Sequence, residues 1–329
     1  MYKLLIIVVG LVFTLVGCAN SNENIQQPDT PIRIGVNSWV GVGPLYIADE
    51  LGFFEEEGAN IELSFFEDQA TGMADLAQRK NDGSLVAFAD LVGLVNAGVE
   101  LQAVWVLDDS SGGDVLLSNG NIKRIEDLKG ARIGLTRGSF SHLFVEQLLG
   151  VYNIQLDEVI IVDVGEADIP QALVDNRIDA GHTFGDFAVK ALDNGAVLLG
   201  STAETPGVIL DTISFRQEII EKYPDQITAI LRATNRGYLW MQDNPEEAYR
   251  IIAKRTNITP EDVPISLGGM KLYSLEDNLQ AFDLTNNSSS SIYTTADISM
   301  NFFLNIGFIE ESLDINALVN GDFVKSLGG

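Results

Sequence analysis

Arg33-Ile34-Gly35-Val36, followed by Ser38-Trp39-Val40-Gly41-Val42-Gly43-Pro44, is the stretch on which the fold reading turns. A short apolar run ends in a glycine-rich loop. Pro44 then stands where a helix can begin, because proline in a first helical turn gives up no hydrogen bond. The same order returns at Arg132-Ile133-Gly134-Leu135, Arg137-Gly138-Ser139 and a helix over 140–149, whose Phe140, Leu143, Phe144, Gln147 and Leu148 follow helical spacing. Two passages built alike predict two similarly constructed α/β lobes.

Working outward, continuous apolar runs predict further strands at 61–66, 84–88 and 101–107 in the first lobe. In the second they fall at 159–162, 179–182 and 197–199. Runs apolar throughout suit strands covered on both faces, so the sheets are expected to be mostly parallel with flanking helices. The extended segments 114–118 and 211–215 are read as paired hinge crossings. They divide the chain into lobe 1 (32–115 and 211–329) and lobe 2 (116–210). After Phe215 the pattern is helical, with Ile227, Ile230, Leu231, Tyr238 and Met241 on one stripe and Asn244-Pro245 ending it. The Ser288 to Ser291 run reads as a loop.

The N-terminus carries Lys3, an apolar run from Leu4 to Val16 that is short for a bilayer span, and then Gly17-Cys18. Residues 1–18 are expected to be a lipoprotein signal peptide whose Leu15-Val16-Gly17-Cys18 resembles a lipobox, with Cys18 lipidated. An uncleaved anchor is the alternative. Residues 19–31 are polar and are expected to form a flexible tether. Cys18 is the only cysteine, so the chain can form no internal disulfide.

The chain has 20 Lys and Arg against 47 Asp and Glu, a formal net charge of −27. Such a charge repels a phosphate backbone, and no basic cluster offsets it, which excludes most nucleic-acid roles. Two histidines and no His/Cys/carboxylate spacing suited to a metal argue against metal binding and against enzymatic chemistry.

With the elements in place, several patterns carry a family likeness. They are Ser38-Trp39-Val40-Gly41 with Gly43-Pro44-Leu45-Tyr46-Ile47-Ala48, Leu51-Gly52-Phe53-Phe54, Asp109-Ser110-Ser111-Gly112-Gly113-Asp114, Ile125-Glu126-Asp127-Leu128-Lys129-Gly130, Pro206-Gly207 with Asp211, and Asn244-Pro245-Glu246-Glu247-Ala248. In this order the chain resembles the nitrate/sulfonate/bicarbonate/taurine group of ABC-transporter substrate-binding proteins, related in fold to thiamine-precursor binders. The resemblance implies a type II periplasmic-binding-protein fold and capture of a small organic or oxyanion solute by lobe closure. It further implies delivery to a membrane permease, a monomer, no cofactor, and an extracytoplasmic place beside the membrane. Relatives carry a Thr-Phe-Glu-Pro-like segment where this chain has Thr183-Phe184-Gly185-Asp186. That departure leaves the ligand subclass open.

Ligands in open α/β sheets sit beyond the carboxyl ends of the strands, where helix N-termini present free N–H groups. The candidate ligand-binding residues are therefore Ser38, Trp39, Gly41, Tyr46, Glu67, Asp68, Asp90, Arg137, Ser139, His142, Thr183, Phe184 and Asp186. Thr71, Asp90 and Ser139, taken alone, read as helix caps worth about 1 kcal/mol each before they read as ligand contacts, and Trp39 reads as a flat ligand wall or as lobe packing. Arg137 and His142 would suit an anionic group. Inward-facing Glu67, Asp68, Asp90 and Asp186 would instead repel a small oxyanion and hold a cation. A ligand-sensing lipoprotein, a binder of a cationic or aromatic pyrimidine-type vitamin precursor, and an enzyme on the same fold are the competing functions.

Overall fold

A computed structural model describes residues 26–66 and 69–328. The signal peptide with Cys18, the first part of the tether, and Glu67 and Asp68 lie outside the described residues.

The strands are β1 (Ile32–Val36), β2 (Ile61–Phe65), β3 (Gly83–Ala87), β4 (Leu101–Ser110), β5 (Asp114–Ser118), β6 (Arg132–Leu135), β7 (Ile160–Asp163), β8 (Ala180–Phe184), β9 (Val197–Ser201), β10 (Leu210–Arg216) and β11 (Met270–Leu272). They form a six-stranded sheet in the order β11-β4-β10-β3-β1-β2 and a five-stranded sheet in the order β7-β6-β8-β5-β9. The two-lobed α/β fold is as expected. The sheets, however, are mixed. β1 runs parallel to β2 and β3, and β6 parallel to β7 and β8, as strands feeding crossover helices must. β10 is antiparallel to β3 and β4, and β5 antiparallel to β8 and β9.

That correction has a direct cause. The segments expected to be free crossings are apolar runs whose backbone groups would be unpaired and buried in a linker. Inserted in the sheets, they are bonded on both sides. The chain passes between the sheets at the bend Ser111–Gly113 and again over 202–209. These passages are tied together: Thr202 Oγ1 accepts the Gly112 N–H at 2.8 Å and lies 3.0 Å from Ser110 Oγ.

The internal likeness read at Arg33 and Arg132 recurs as structure. Asp82 accepts the Arg33 backbone N–H at 2.9 Å, and Asp179 accepts that of Arg132 at 2.8 Å while also pairing with its guanidinium. Each carboxylate precedes the strand beside its arginine, so the same device sets the register of both lobes.

The long helix Pro224–Asp243 packs on the helix Gly43–Glu50. Nearby, buried Asn278 stands in for a strand: its side chain accepts the Val106 N–H at 2.8 Å and donates to the Val106 carbonyl at 2.9 Å. Asn278→Ala leaves both groups buried and unpaired. It is expected to lower unfolding free energy in urea by about 1–3 kcal/mol.

Candidate binding cleft

The bend after β1 delivers Trp39 to the gap between the sheets, and the end of β8 delivers Phe184 from the other side. Their rings meet edge to face at 5.7 Å, with Phe140 at 6.3 Å from Phe184. Around them lie Asn37, Gln69, Leu85, Ala87, Asp114, Ile209 and Asp211, enclosing a cavity of about 30 Å³. That is room for little more than water. It shares Trp39 and Phe184 with a cavity of about 700 Å³ and Asn37, Gln69, Phe140 and Phe184 with one of about 460 Å³. The aromatic trio thus closes the centre of a larger cleft.

Trp39 is held from behind, its indole N–H lying 3.2 Å from both carboxylate oxygens of Asp108. A Cβ on Gly41 would fall 2.0 Å from that carboxylate, so Gly41 is where Asp108 approaches the loop. Tyr46 is fully buried in the helix below and donates its O–H to the Asn37 carbonyl. The reading of Tyr46 as a cleft aromatic is corrected on this point: it falls on the inward stripe of its helix and acts on the loop instead.

The two lobes touch through Asp90. This carboxylate, buried in the first lobe, accepts the Phe140 N–H at the start of the second lobe's helix Phe140–Val151 at 3.0 Å, and the Gln69 amide at 3.3 Å. Burial raises its pKa to about 7, against the pull of the Phe140 N–H. Ser139 caps the same helix, accepting the Ser141 N–H at 3.1 Å, and lines the 460 Å³ cavity with Phe184.

Other expected residues lie elsewhere. Arg137 donates to the Ile161 carbonyl at 2.6 Å and, with His142, lines an outer groove against Phe308 rather than the Trp39 cavity. His142 Nδ1 accepts the Gly138 N–H, and its ring edge meets Phe302 at 5.1 Å. Burial, reinforced by Arg137, depresses its pKa to about 4. Their placement followed from proximity to a helix start, but both point off the far side of that turn. Thr183 is buried and donates to the Glu166 carbonyl at 2.9 Å. Ser38 and exposed Asp186 line the mouth of the 700 Å³ cavity.

Asp114 and Asp211, which line the cavity, and Asp108 and Asp109 near them were not singled out as ligand residues. Asp211 on β10 stands opposite Asp108 on β4, like charges facing across neighbouring strands. Asp211 lines the central cavity, and its carboxylate has no hydrogen-bond or ion-pair partner among the described residues. Burial, then repulsion from Asp108 and Asp114, raises its pKa well above the usual range. Burial pushes Asp108 up to about 8 and Asp109 to about 6. Asp114, 3% exposed, lies 2.9 Å from His182 Nε2, and His182 Nδ1 lies 2.7 Å from Ser141 Oγ. The available signal was an acid at the edge of an apolar strand run, as in Leu107-Asp108 and Leu210-Asp211.

Comparison with known proteins agrees with this architecture. Residues 39–248 match the family described as NMT1/THI5 like. A Bacillus subtilis (strain 168) protein named for binding aliphatic sulfonates is 25% identical over 260 residues, which are 75% of this chain and 76% of that protein. A Legionella pneumophila 4-amino-5-hydroxymethyl-2-methylpyrimidine phosphate synthase is 24% identical over 218 residues, 64% of this chain and 68% of the enzyme. The ligand-binding component of an ABC-type import system from Staphylococcus aureus superposes with a TM-score of 0.74 at 14% identity, over 90% of this chain and 98% of that one, and so shares the fold. With two α/β lobes flanking an aromatic-walled cleft and a match over most of the folded chain, this protein belongs to the NMT1/THI5-like family.

Proposed function

We propose that this protein is the extracytoplasmic solute-binding component of an ABC importer, holding one small molecule between lobe 1 (32–115 with 211–329) and lobe 2 (116–210). The observation that carries it is the meeting of Trp39 and Phe184, one from each lobe, over a cavity that shares lining residues with two larger ones. A ligand that separates these rings replaces their mutual contact with two of its own. Closure of the lobes is thereby linked to occupancy. The name of the Bacillus protein supports solute binding, and that of the Staphylococcus protein supports import.

In this reading the chain performs no catalysis. Ser141, His182 and Asp114 form a hydrogen-bonded row, yet Ser141 and His182 are fully buried and line none of the cavities described above, which leaves the hydroxyl without an approach from the cleft. The row instead holds the helix start against β5 and β8. Lipidation at Cys18 would keep the protein beside its permease. Among the described residues no helix is long and apolar enough to cross a membrane. A sensor lipoprotein would use the same cleft, and a neighbouring permease gene tells the two apart.

Thermal shift against sulfonates, nitrate, pyrimidines and amines tests the proposal. One class should stabilise the protein, and Trp39→Ala should weaken that binding roughly tenfold or more through loss of a buried aromatic contact. Stabilisation by none of them would sink it.

A further inference from the structure

At two of the places where an anion could be received in a cleft of this kind, the protein's own acids already stand. At Phe140 the free N–H at the positive end of a 12-residue helix is taken by Asp90, and the Ser141 N–H by Ser139. In the first lobe Asp108 fills the space beside Gly41. An oxyanion would have to displace a buried carboxylate in the first case and approach another in the second. Meanwhile Arg137, the basic side chain nearest that helix start in sequence, faces the outer groove.

What the central cavity offers is the opposite charge. Asp211 and Asp114 line it together with three aromatic faces. Asp211 is half-buried, lines the cavity, and has no hydrogen-bond or ion-pair partner among the described residues. No described lysine or arginine pairs with Asp90, Asp108, Asp114 or Asp211; Asp114 has only His182. A buried carboxylate with no donor is an incomplete arrangement, since such groups are found paired or hydrogen-bonded.

Resting on the solute-binding reading above, we propose that the solute is an organic cation whose N–H donors meet Asp211 and Asp114 while Trp39, Phe140 and Phe184 cover its carbon face. The aromatic faces attract a positive charge and repel a negative one. The carboxylates accept charge-assisted hydrogen bonds from an ammonium or amidinium group. Bound, the cation supplies the countercharge that the aspartates lack.

The test uses the full-length protein extracted in detergent. Small molecules released on denaturation are identified by mass spectrometry, and the thermal midpoint is measured with benzamidinium, butylammonium, butanesulfonate and nitrate. The expected result is a co-purified cation, or stabilisation by a cationic probe, with affinity falling roughly tenfold or more in Asp211→Asn, the loss expected for one charge-assisted hydrogen bond. Asp114→Asn should reproduce the loss if Asp211→Asn folds poorly. An anionic or neutral co-purified molecule, or stabilisation by butanesulfonate or nitrate alone, overturns the cation assignment and leaves the solute-binding reading standing. No released molecule and no stabilising probe overturn both.

Discussion

Lowering the pH from about 8 to about 5 is expected to raise the thermal midpoint of the ligand-free protein, where most proteins are flat or begin to lose stability. Asp109, Asp90 and Asp108 titrate near 6, 7 and 8 in the folded chain, against an ordinary value of 3.8, because burial disfavours their charged forms. Between the ordinary value and these raised ones the folded state holds more protons than the unfolded state. The acids' contribution therefore falls as pH rises through that window and is regained on acidification, offset in part below about pH 6.5 by His142, whose pKa burial depresses to about 4. One pKa unit corresponds to about 1.36 kcal/mol, so Asp90 alone represents roughly 4 kcal/mol. Mutual repulsion makes the contributions of neighbouring acids non-additive. Below about pH 4 the trend should reverse as Asp179, held below the usual range by Arg132, becomes protonated. Calorimetry across a pH series checks this, and Asp108→Asn should flatten the upper part of the profile. A midpoint falling steadily from pH 8 to pH 5 would show that these acids are solvated rather than buried.

Gly237→Ala is expected to cost about 3 kcal/mol or to prevent folding altogether. A Cβ at this position would stand 2.1 Å from the Pro44 carbonyl oxygen and 3.3 Å from the Ala48 backbone nitrogen. Backbone cannot swing aside as a side chain can, so the helices Pro224–Asp243 and Gly43–Glu50 would have to separate. The second of these carries the loop with Trp39 at its start, which links the substitution to the cleft. Urea unfolding of Gly237→Ala beside Gly150→Ala measures the effect. Gly150 has nothing within 4 Å of its would-be Cβ and lies in a helix, so alanine there should be neutral or slightly stabilising. Equal stability of the two variants would refute the close helix contact.

The helix stripes were readable because they are local. The helix expected at 140–149 runs from Phe140 to Val151, and Asn244-Pro245 separates Pro224–Asp243 from Pro245–Thr256 as its chemistry requires. Trp39, Phe184 and Asp90 were found by their place at strand ends and helix starts, and the structure brings all three to the cleft region. Arg137 and His142 were placed by the same rule and face outward. Proximity to a helix start gives the turn a residue occupies, but not the side of the turn from which it projects.

The residues alone determined that this is a two-lobed α/β chain with a repeated strand-loop-helix opening, and which loops lead into its gap. Only the tertiary structure decided the character of that gap. Asp90, Asp108, Asp114 and Asp211 lie on different elements, and singly they read as a helix cap, in Asp90, or as acids at the ends of extended segments, in the other three. Their effect on one another arises when antiparallel insertion of β5 and β10 brings Asp114 and Asp211 to one small cavity, close enough to Asp108 and Asp90 for the charges to interact. Hydrophobic periodicity encodes which face of an element is buried, whereas the meeting of charges depends on sheet order and strand direction, which no local pattern carries.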